Sequence, residues 1–283
     1  MDGFTLCVPS SLVREAEDKR EATRKLGYVA RAAAVFRASR LVVFPDREGE
    51  RRWGGEFVRT VLRYAATPPD LRKELWGERD ELEYAGVLPP LRVSWQTGST
   101  PTGDESSTQG LVTEVGPEGR VRVNSPLGEH PISLLVPSDV EVEEGERVTI
   151  RISSREPVRA RITGKPEDGF QVVGADLSEA LAQSELAIAT SRHGEDLSVS
   201  RLGELATDAD ERDGVAVAFG APERGLPAMF GLSPDAIRAA DGGPVEPDPG
   251  FDLWLNTIPR QGSEVVRTEE AMFASLSPLT LTE

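Results

Sequence analysis

Two kinds of apolar spacing alternate along this chain, and one kind of layer cannot accommodate both. Near the two ends, dense runs such as "FTLCVP", "RLVVF", "FQVVGA", "ELAIATS", "GVAVAFG" and "FDLWLNT" are separated by stretches with helical spacing. Short apolar runs without polar alternation predict strands covered on both faces, and strands alternating with helices predict a parallel α/β sheet. Between residues 88 and 166 the helical period disappears. "GLVTEVGPEGRVRVNSPLGEHPISLLVP" and "GERVTIRISS" alternate apolar and polar residues, punctuated by Gly, Pro and Asn. That pattern predicts a small antiparallel barrel, OB-like in character. The expected organisation is therefore an α/β domain whose halves, 1–87 and 167–283, close one sheet around an inserted barrel at 88–166. The first half should carry a helix from Arg14 to Ser39, with Leu26, Val29, Ala30, Ala33 and Phe36 on one face and Ser10 and Ser11 as caps. A second helix is expected over "GGEFVRTVLRYAA", and further ones over "LSEALAQ", "VSRLGELATDA" and "SPDAIRAA". The polar stretch "WQTGSTPTGDESSTQG" reads as the loop that enters the barrel.

Charge narrows the setting more than the function. The 283 residues carry a net charge of −16, and lysine occurs only at Lys19, Lys25, Lys73 and Lys165. An excess of Asp and Glu with so little Lys resembles proteins adapted to high internal salt, as in halophilic archaea. In molar salt the Debye length is about 3 Å, so net charge does not exclude a nucleic-acid partner, and local arginine clusters still bind phosphate through planar, bidentate contacts. One such cluster is Arg147, Arg151, Arg155, Arg159 and Arg161 in the barrel segment, either a solvated structural face or an RNA surface. Another runs through the first zone at Arg14, Arg20, Arg24, Arg31, Arg37 and Arg40, continuing at Arg47, Arg51, Arg52, Arg59 and Arg63. It either pairs with Glu15, Glu17 and Glu21 or reaches phosphates. No apolar run is long enough for a membrane span, and the N-terminus has no secretory pattern, so a cytoplasmic location is expected. A single cysteine, Cys7, reads as a small hydrophobe in a strand, and two histidines with one cysteine offer no metal cluster.

Ligands of parallel α/β sheets bind beyond the carboxyl ends of the strands. Three strands of the last zone end in loops richer than a connection requires: "TSRHGED" from Thr190, "GAPERGLP" from Gly220, and "NTIPRQGSEVVRTEEA" from Asn256. Their glycines permit close approach of a ligand to the backbone, and their hydroxyls and amides provide donors and acceptors on short stems. Rival fingerprints are missing: no GxGxxG opens a helix after the first strand, and neither GxxxxGK[ST] nor GxSxG occurs.

The segments "FGAPERGL" and "NTIPRQGSEVVRTEEAMFASL" resemble the paired C-terminal motifs of SPOUT-class methyltransferases. Within that class the chain is similar to the archaeal and eukaryotic RNA methyltransferase family with a barrel inserted in the catalytic domain. "PSSL", "VARAAAVFR", "PPDLRKELW", "LEYAGVLPPL" and "GERVTI" extend the resemblance over nearly the whole sequence. A more distant likeness joins it to bacterial uridine-N3 ribosomal RNA methyltransferases. The resemblance implies a trefoil-knotted parallel sheet flanked by helices, an OB-like insertion, S-adenosylmethionine as methyl donor, and a homodimer that completes the site between subunits. It assigns Thr190, Ser191 and Gly194 to the first cofactor loop and Phe219, Gly220, Glu223, Gly225 and Leu226 to the second. Asn256, Ile258, Gln261, Gly262 and Ser263 fall in the third, with Arg267, Thr268 and Glu269 fixing the helix behind it. Two departures stand out. The first loop reads "TSRHG" where the family tends to "TSERG", so Arg192 and His193 replace a carboxylate and an arginine, and "PPL" continues as "RVSWQTG" without the family's histidine.

Methyl transfer from a sulfonium is an in-line displacement whose main requirement is alignment. Arg224, Arg260 and Glu223 are the expected catalytic side chains, the arginines orienting phosphate or stabilising an oxyanion on the base. His193 is a further candidate base. Ribosomal RNA is the expected acceptor, with a uridine N3 as the specific atom. A protein methyltransferase on the same fold, or a binding module without turnover, are the alternatives.

Overall fold

The computed structural model describes residues 4–93, 106–125, 130–137, 140, 142, 147–155, 158–164, 169–210, 212, 214–247 and 249–281. Two compact units make up the chain, one from Met1–Ala66, Asp80–Pro90 and Phe170–Glu283, the other from Thr67–Arg79 and Leu91–Gly169. The first unit opens with β1 (Thr5–Pro9), α1 (Lys19–Val35), β2 (Arg40–Phe44) and α2 (Gly55–Ala66). The second contains α3 (Pro69–Trp76), β3 (Ser106–Val115), β4 (Arg120–Asn124), β5 (Ile132–Leu135), β6 (Arg147–Arg155) and β7 (Val158–Gly164). Returning to the first unit, the chain forms β8 (Gln171–Gly174), α4 (Leu177–Leu181), β9 (Leu186–Asp196), α5 (Val199–Asp210) and β10 (Val215–Ala218). It ends with α6 (Leu226–Met229), α7 (Pro234–Ala239), β11 (Leu253–Asn256) and α8 (Thr268–Leu279).

Six strands of the first unit form one sheet in the order β11-β9-β10-β1-β2-β8, every pair parallel. Burial explains the dense apolar runs: Leu6, Cys7 and Val8 of β1 and all of β10 are inaccessible or nearly so, because both faces of the sheet are covered. Phe251 packs edge-on against Trp254, ring centroids 5.3 Å apart, and anchors β11 in the core. The first helix is shorter than its spacing predicts. It begins at Lys19, where the Asp18 carboxylate accepts the Glu21 amide at 2.7 Å as a cap. Ser10 and Ser11 are therefore not caps; their hydroxyls hold Asp46 at the end of β2. Glu15, ahead of the helix, and Glu21 within it pair with Lys25 at 2.6 and 3.1 Å, so these two carboxylates are matched to lysine and not to the arginines beside them. Several of those arginines instead donate to carbonyls, as Arg63 does to Val172 and Arg31 to Pro90.

The second unit is a five-stranded antiparallel sheet in the order β5-β4-β3-β6-β7, with β5 and β7 close enough to make it nearly closed. Alternation is clean: Val121 and Val123 point into a core with Val112, Leu134, Val148, Ile150 and Ile162, while Arg120 and Arg122 face outward. The expected entrance loop lies outside the described residues as far as residue 105, and its last part, from Ser106, is strand. Among the described residues no helix is long and apolar enough to cross a membrane.

Candidate active site

An arch within β9 and the loops after β10 and β11 meet at the carboxyl edge of the sheet around a cleft of about 660 Å³. Its geometry starts with an irregularity in β9. Residues 188 and 189 pair with Leu253 and Trp254, but the next residues of β11, Leu255 and Asn256, pair with Glu195 and Asp196. The segment 190–194 therefore arches off the sheet while β11 continues without interruption. Thr190 anchors the arch by donating from Oγ1 to the Ala218 carbonyl at 2.9 Å. At its other end Gly194 returns so close to β11 that a Cβ would lie 2.4 Å from the Trp254 carbonyl oxygen, so only glycine fits.

The β10 loop is a tight turn in which Ala221 and Arg224 exchange both backbone hydrogen bonds, at 3.0 and 3.1 Å. Glu223 takes the left-handed conformation inside it, φ 60°. At the base of the turn, a Cβ on Gly220 would lie 2.7 Å from the Gly225 Cα, so the two ends of the loop are in direct contact. Arg224 reaches past β1 to the end of β2: its Nε lies 3.1 Å from both Asp46 oxygens and its Nη2 3.2 Å from Glu48. The buried Asp46 also accepts the Ser11 hydroxyl at 2.5 Å, so one carboxylate ties the ends of β1 and β2 to the β10 loop. Thr268 donates to the Gly220 carbonyl at 2.8 Å, joining the start of α8 to the same loop. In the third loop the Asn256 amide donates to Asp196 at 2.7 Å while its oxygen accepts the Ile258 N–H at 3.2 Å. The Arg267 N–H donates to Glu270 at 2.9 Å and caps α8.

Of the residues assigned from sequence, Thr190, Ser191, Gly220, Glu223, Arg224, Gly225, Asn256, Ile258, Gln261 and Thr268 line the cleft. Gly194, Phe219, Leu226, Gly262, Ser263, Arg260 and Arg267 are not among its lining residues. Phe219 and Leu226 are fully buried beneath it. Gly262 has open space around it, Ser263 turns its hydroxyl to the Val265 carbonyl, and Arg267 lies 4.0 Å from Glu15. Arg260 is exposed, with φ 62°. Sequence reasoning missed the apolar floor, formed by Val265, Val266 and Ala271 with Ala228 and Leu232, and the anchoring role of Asp46. A signal for Asp46 was present: it stands just past the carboxyl end of a buried strand, on the ligand edge of the sheet.

His193 lines the cleft together with Arg192. Burial, with the Arg192 and Arg238 guanidiniums nearby, pulls its imidazole below the ordinary value, which keeps it neutral at pH 7. A neutral imidazole has one accepting nitrogen, and both ring nitrogens face arginine donors: Arg238 Nη2 is 3.1 Å from Nδ1 and Arg192 Nε 3.4 Å from Nε2. A neutral ring accepts from only one of these two arginines at a time.

Sheet and cleft together define an α/β protein with a cleft of small-molecule size on the carboxyl edge of a parallel sheet. The family described as "Putative RNA methyltransferase" matches residues 3–279, and the chain belongs to that family, an enzyme family acting on RNA. Uncharacterized proteins of Haloarcula marismortui and Halobacterium salinarum are 63% and 64% identical to it, each alignment covering 99% of both chains. The human 28S rRNA (uridine-N(3))-methyltransferase is 28% identical over 98% of this chain and 77% of its own length.

Proposed function

We propose that this protein transfers a methyl group from S-adenosylmethionine to N3 of a uridine in ribosomal RNA. The observation that carries the reading is the convergence of the β9, β10 and β11 loops on one cleft in a chain of the RNA methyltransferase family. The name of the human relative supports the acceptor atom. The residues present fit the cofactor. Val265, Val266, Ile258 and Leu232 offer an apolar wall for a purine, and the carboxylates of Glu223 and Glu264 suit a cationic centre. When bound, S-adenosylmethionine supplies an electrophilic methyl group on a sulfonium. Thr190, Ser191, Gly194, Phe219, Gly220, Glu223, Gly225 and Leu226 form or support its cradle in this reading. Asn256, Ile258, Gln261, Gly262, Ser263, Arg267 and Thr268 complete it.

Uridine N3 carries a proton, so a neighbouring group must accept it or stabilise the oxyanion left on the ring. Neutral His193 is one acceptor; its Nδ1 is freed if Arg238 turns fully to Asp235, which it already holds at 2.7 Å. Arg260 and the remaining N–H groups of Arg224 would face the RNA, and Glu223 would orient the cofactor. The same reading includes a trefoil knot in the β9–β11 region, a cytoplasmic location and a homodimer. Tyr28, Val35 and Val199 leave apolar surface exposed, which supports pairing of two chains. The strand order of the second unit supports an OB-like barrel.

Labelled S-adenosylmethionine incubated with the protein and ribosomal RNA tests the proposal, followed by mapping of the modified nucleotide. Label in a ribosomal protein, or no transfer at all, would overturn it. Gly225→Val keeps the backbone unstrained, since Gly225 has φ −70° and an added Cβ meets only Pro227 Cδ at 3.5 Å. Filling the cleft in this way should weaken S-adenosylmethionine binding at least about tenfold, equivalent to roughly 1.4 kcal/mol, with little change in melting temperature. Unchanged affinity would place the cofactor elsewhere.

A further inference from the structure

At the seam of the second unit, where β5 and β7 close the sheet incompletely, lies a groove of about 680 Å³. Its lining includes Arg151 of β6, Arg159 and Arg161 of β7, and Ser133 of β5. We infer that this groove binds the phosphate backbone of single-stranded RNA through Arg151, Arg159 and Arg161. The inference rests on the reading that the substrate is RNA, and adds to it a second contact surface apart from the methyl-transfer cleft.

Three observations carry it. First, the arginines are aimed by strand register. Val148, Ile150 and Ile162 point into the barrel core and Ile152 is buried, while Arg151, Arg159 and Arg161 are exposed on the outer face. Second, Arg151 and Arg161 are directly opposite partners across β6 and β7. Like charges so placed repel each other, and an anion beside Arg161 relieves that repulsion. Third, the surroundings are wrong for a merely solvated face. The chain holds 48 acidic residues against 32 basic ones, yet the described residues that line the groove include three arginines and no carboxylate. Neither Arg159 nor Arg161 makes an ion pair with another described residue.

The occupant follows from the chemistry. Guanidinium groups match phosphate oxygens bidentately. Arg159 and Arg161, two residues apart on one face of a strand, are spaced about 6.7 Å along it, a stride suited to successive phosphates of an extended strand. Ser133 adds a hydroxyl donor, while that of Ser153 donates to the Arg159 carbonyl at 3.1 Å. Among the described residues no aromatic side chain lines the groove, so it offers charge without base stacking and should bind RNA with little regard to sequence.

Arg159→Ala/Arg161→Ala tests the inference by RNA binding over a series of potassium chloride concentrations in which circular dichroism reports an intact fold. The salt slope, log affinity against log salt, should fall by about 1–2 in magnitude, and affinity should drop roughly tenfold to a hundredfold at the lowest salt. Homopolymer RNA should compete with ribosomal RNA for the same contacts. Arg159→Lys/Arg161→Lys should keep most of the slope. A control, Arg20→Ala/Arg24→Ala, removes equal charge from α1. Equal losses in the two alanine pairs would mean diffuse attraction and overturn the groove, as would unchanged RNA affinity in the first pair. The binding assay needs neither cofactor nor turnover. Wild-type protein that binds RNA through the groove but transfers no methyl group refutes the proposed function and leaves the groove standing. Methyl transfer to RNA with binding indifferent to Arg159 and Arg161 refutes the groove alone.

Discussion

Cys7 and Glu269 both titrate from inside the first unit, and burial acts on each in the same direction. The Cys7 thiol has no accessible surface and burial pushes its pKa up to about 12. At pH 8 it should be unreactive toward a thiol reagent in the native state and react only as the protein unfolds; rapid native labelling would contradict the buried position in β1. Glu269, at the first turn of α8, is 8% exposed and one of its oxygens has no hydrogen-bond partner. Burial raises its carboxyl above the ordinary range, with Glu15 adding to the effect and Lys25 opposing it. The native state therefore binds a proton that the unfolded chain has released, and stability falls as pH rises from the unfolded value, about 4.3, through the raised native one. Glu269→Gln removes that dependence. Its melting temperature relative to wild type should climb as pH increases from about 4 to 8, and a constant difference across that range would refute the assignment. Neither effect was legible in the sequence. The sequence marks Cys7 as apolar company and Glu269 as a helix-start acid, but the degree of desolvation depends on what packs over them.

At the scale of elements, the cleft depends on two connections that local spacing describes incompletely. The run "ELAIATS" announces β9, and the glycine of "TSRHG" announces a close approach, but not that the strand leaves the sheet at Thr190 and rejoins it at Glu195. Gly194→Ala forces a Cβ against the Trp254 carbonyl, so backbone must shift. Chemical denaturation should show a loss of about 1–3 kcal/mol, with S-adenosylmethionine affinity reduced as well; a loss below about 0.5 kcal/mol would mean the arch is not constrained there. Asp46 is the second connection. Asp46→Ala leaves Ser11 and Arg224 without their shared acceptor, while Arg224 retains Glu48 and some access to water. The expected cost is about 1–3 kcal/mol, and it should come with weaker cofactor binding because the β10 turn loses its tether. Full stability with full affinity would remove Asp46 from the site. The glycines and hydroxyls of all three loops could be read from the sequence because a strand end followed by Gly, Thr or Asn is a local signal. The partner of Arg224 could not, because it lies 178 residues away.

For the whole molecule, a net charge of −16 is a source of self-repulsion that salt should relieve. As the Debye length falls from about 10 Å at 0.1 M to about 3 Å at 1 M, the melting temperature should rise steadily in potassium chloride. A flat response over that range would show that the acidic surface does not limit stability. The two units also differ in how far sequence reaches. Helical and alternating apolar spacing are properties of neighbouring residues, so the sequence by itself determined the parallel α/β sheet, the antiparallel insertion and the three loops that could hold a ligand. Only the tertiary structure decided that segments Met1–Ala66 and Phe170–Glu283 interleave as β11-β9-β10-β1-β2-β8. It also decided that residues 67–79 group with the barrel and that Asp46 braces Arg224. Strand order and long-range ion pairs arise from sheet closure, which joins residues with no proximity in the chain. No local period encodes which distant strand becomes a neighbour.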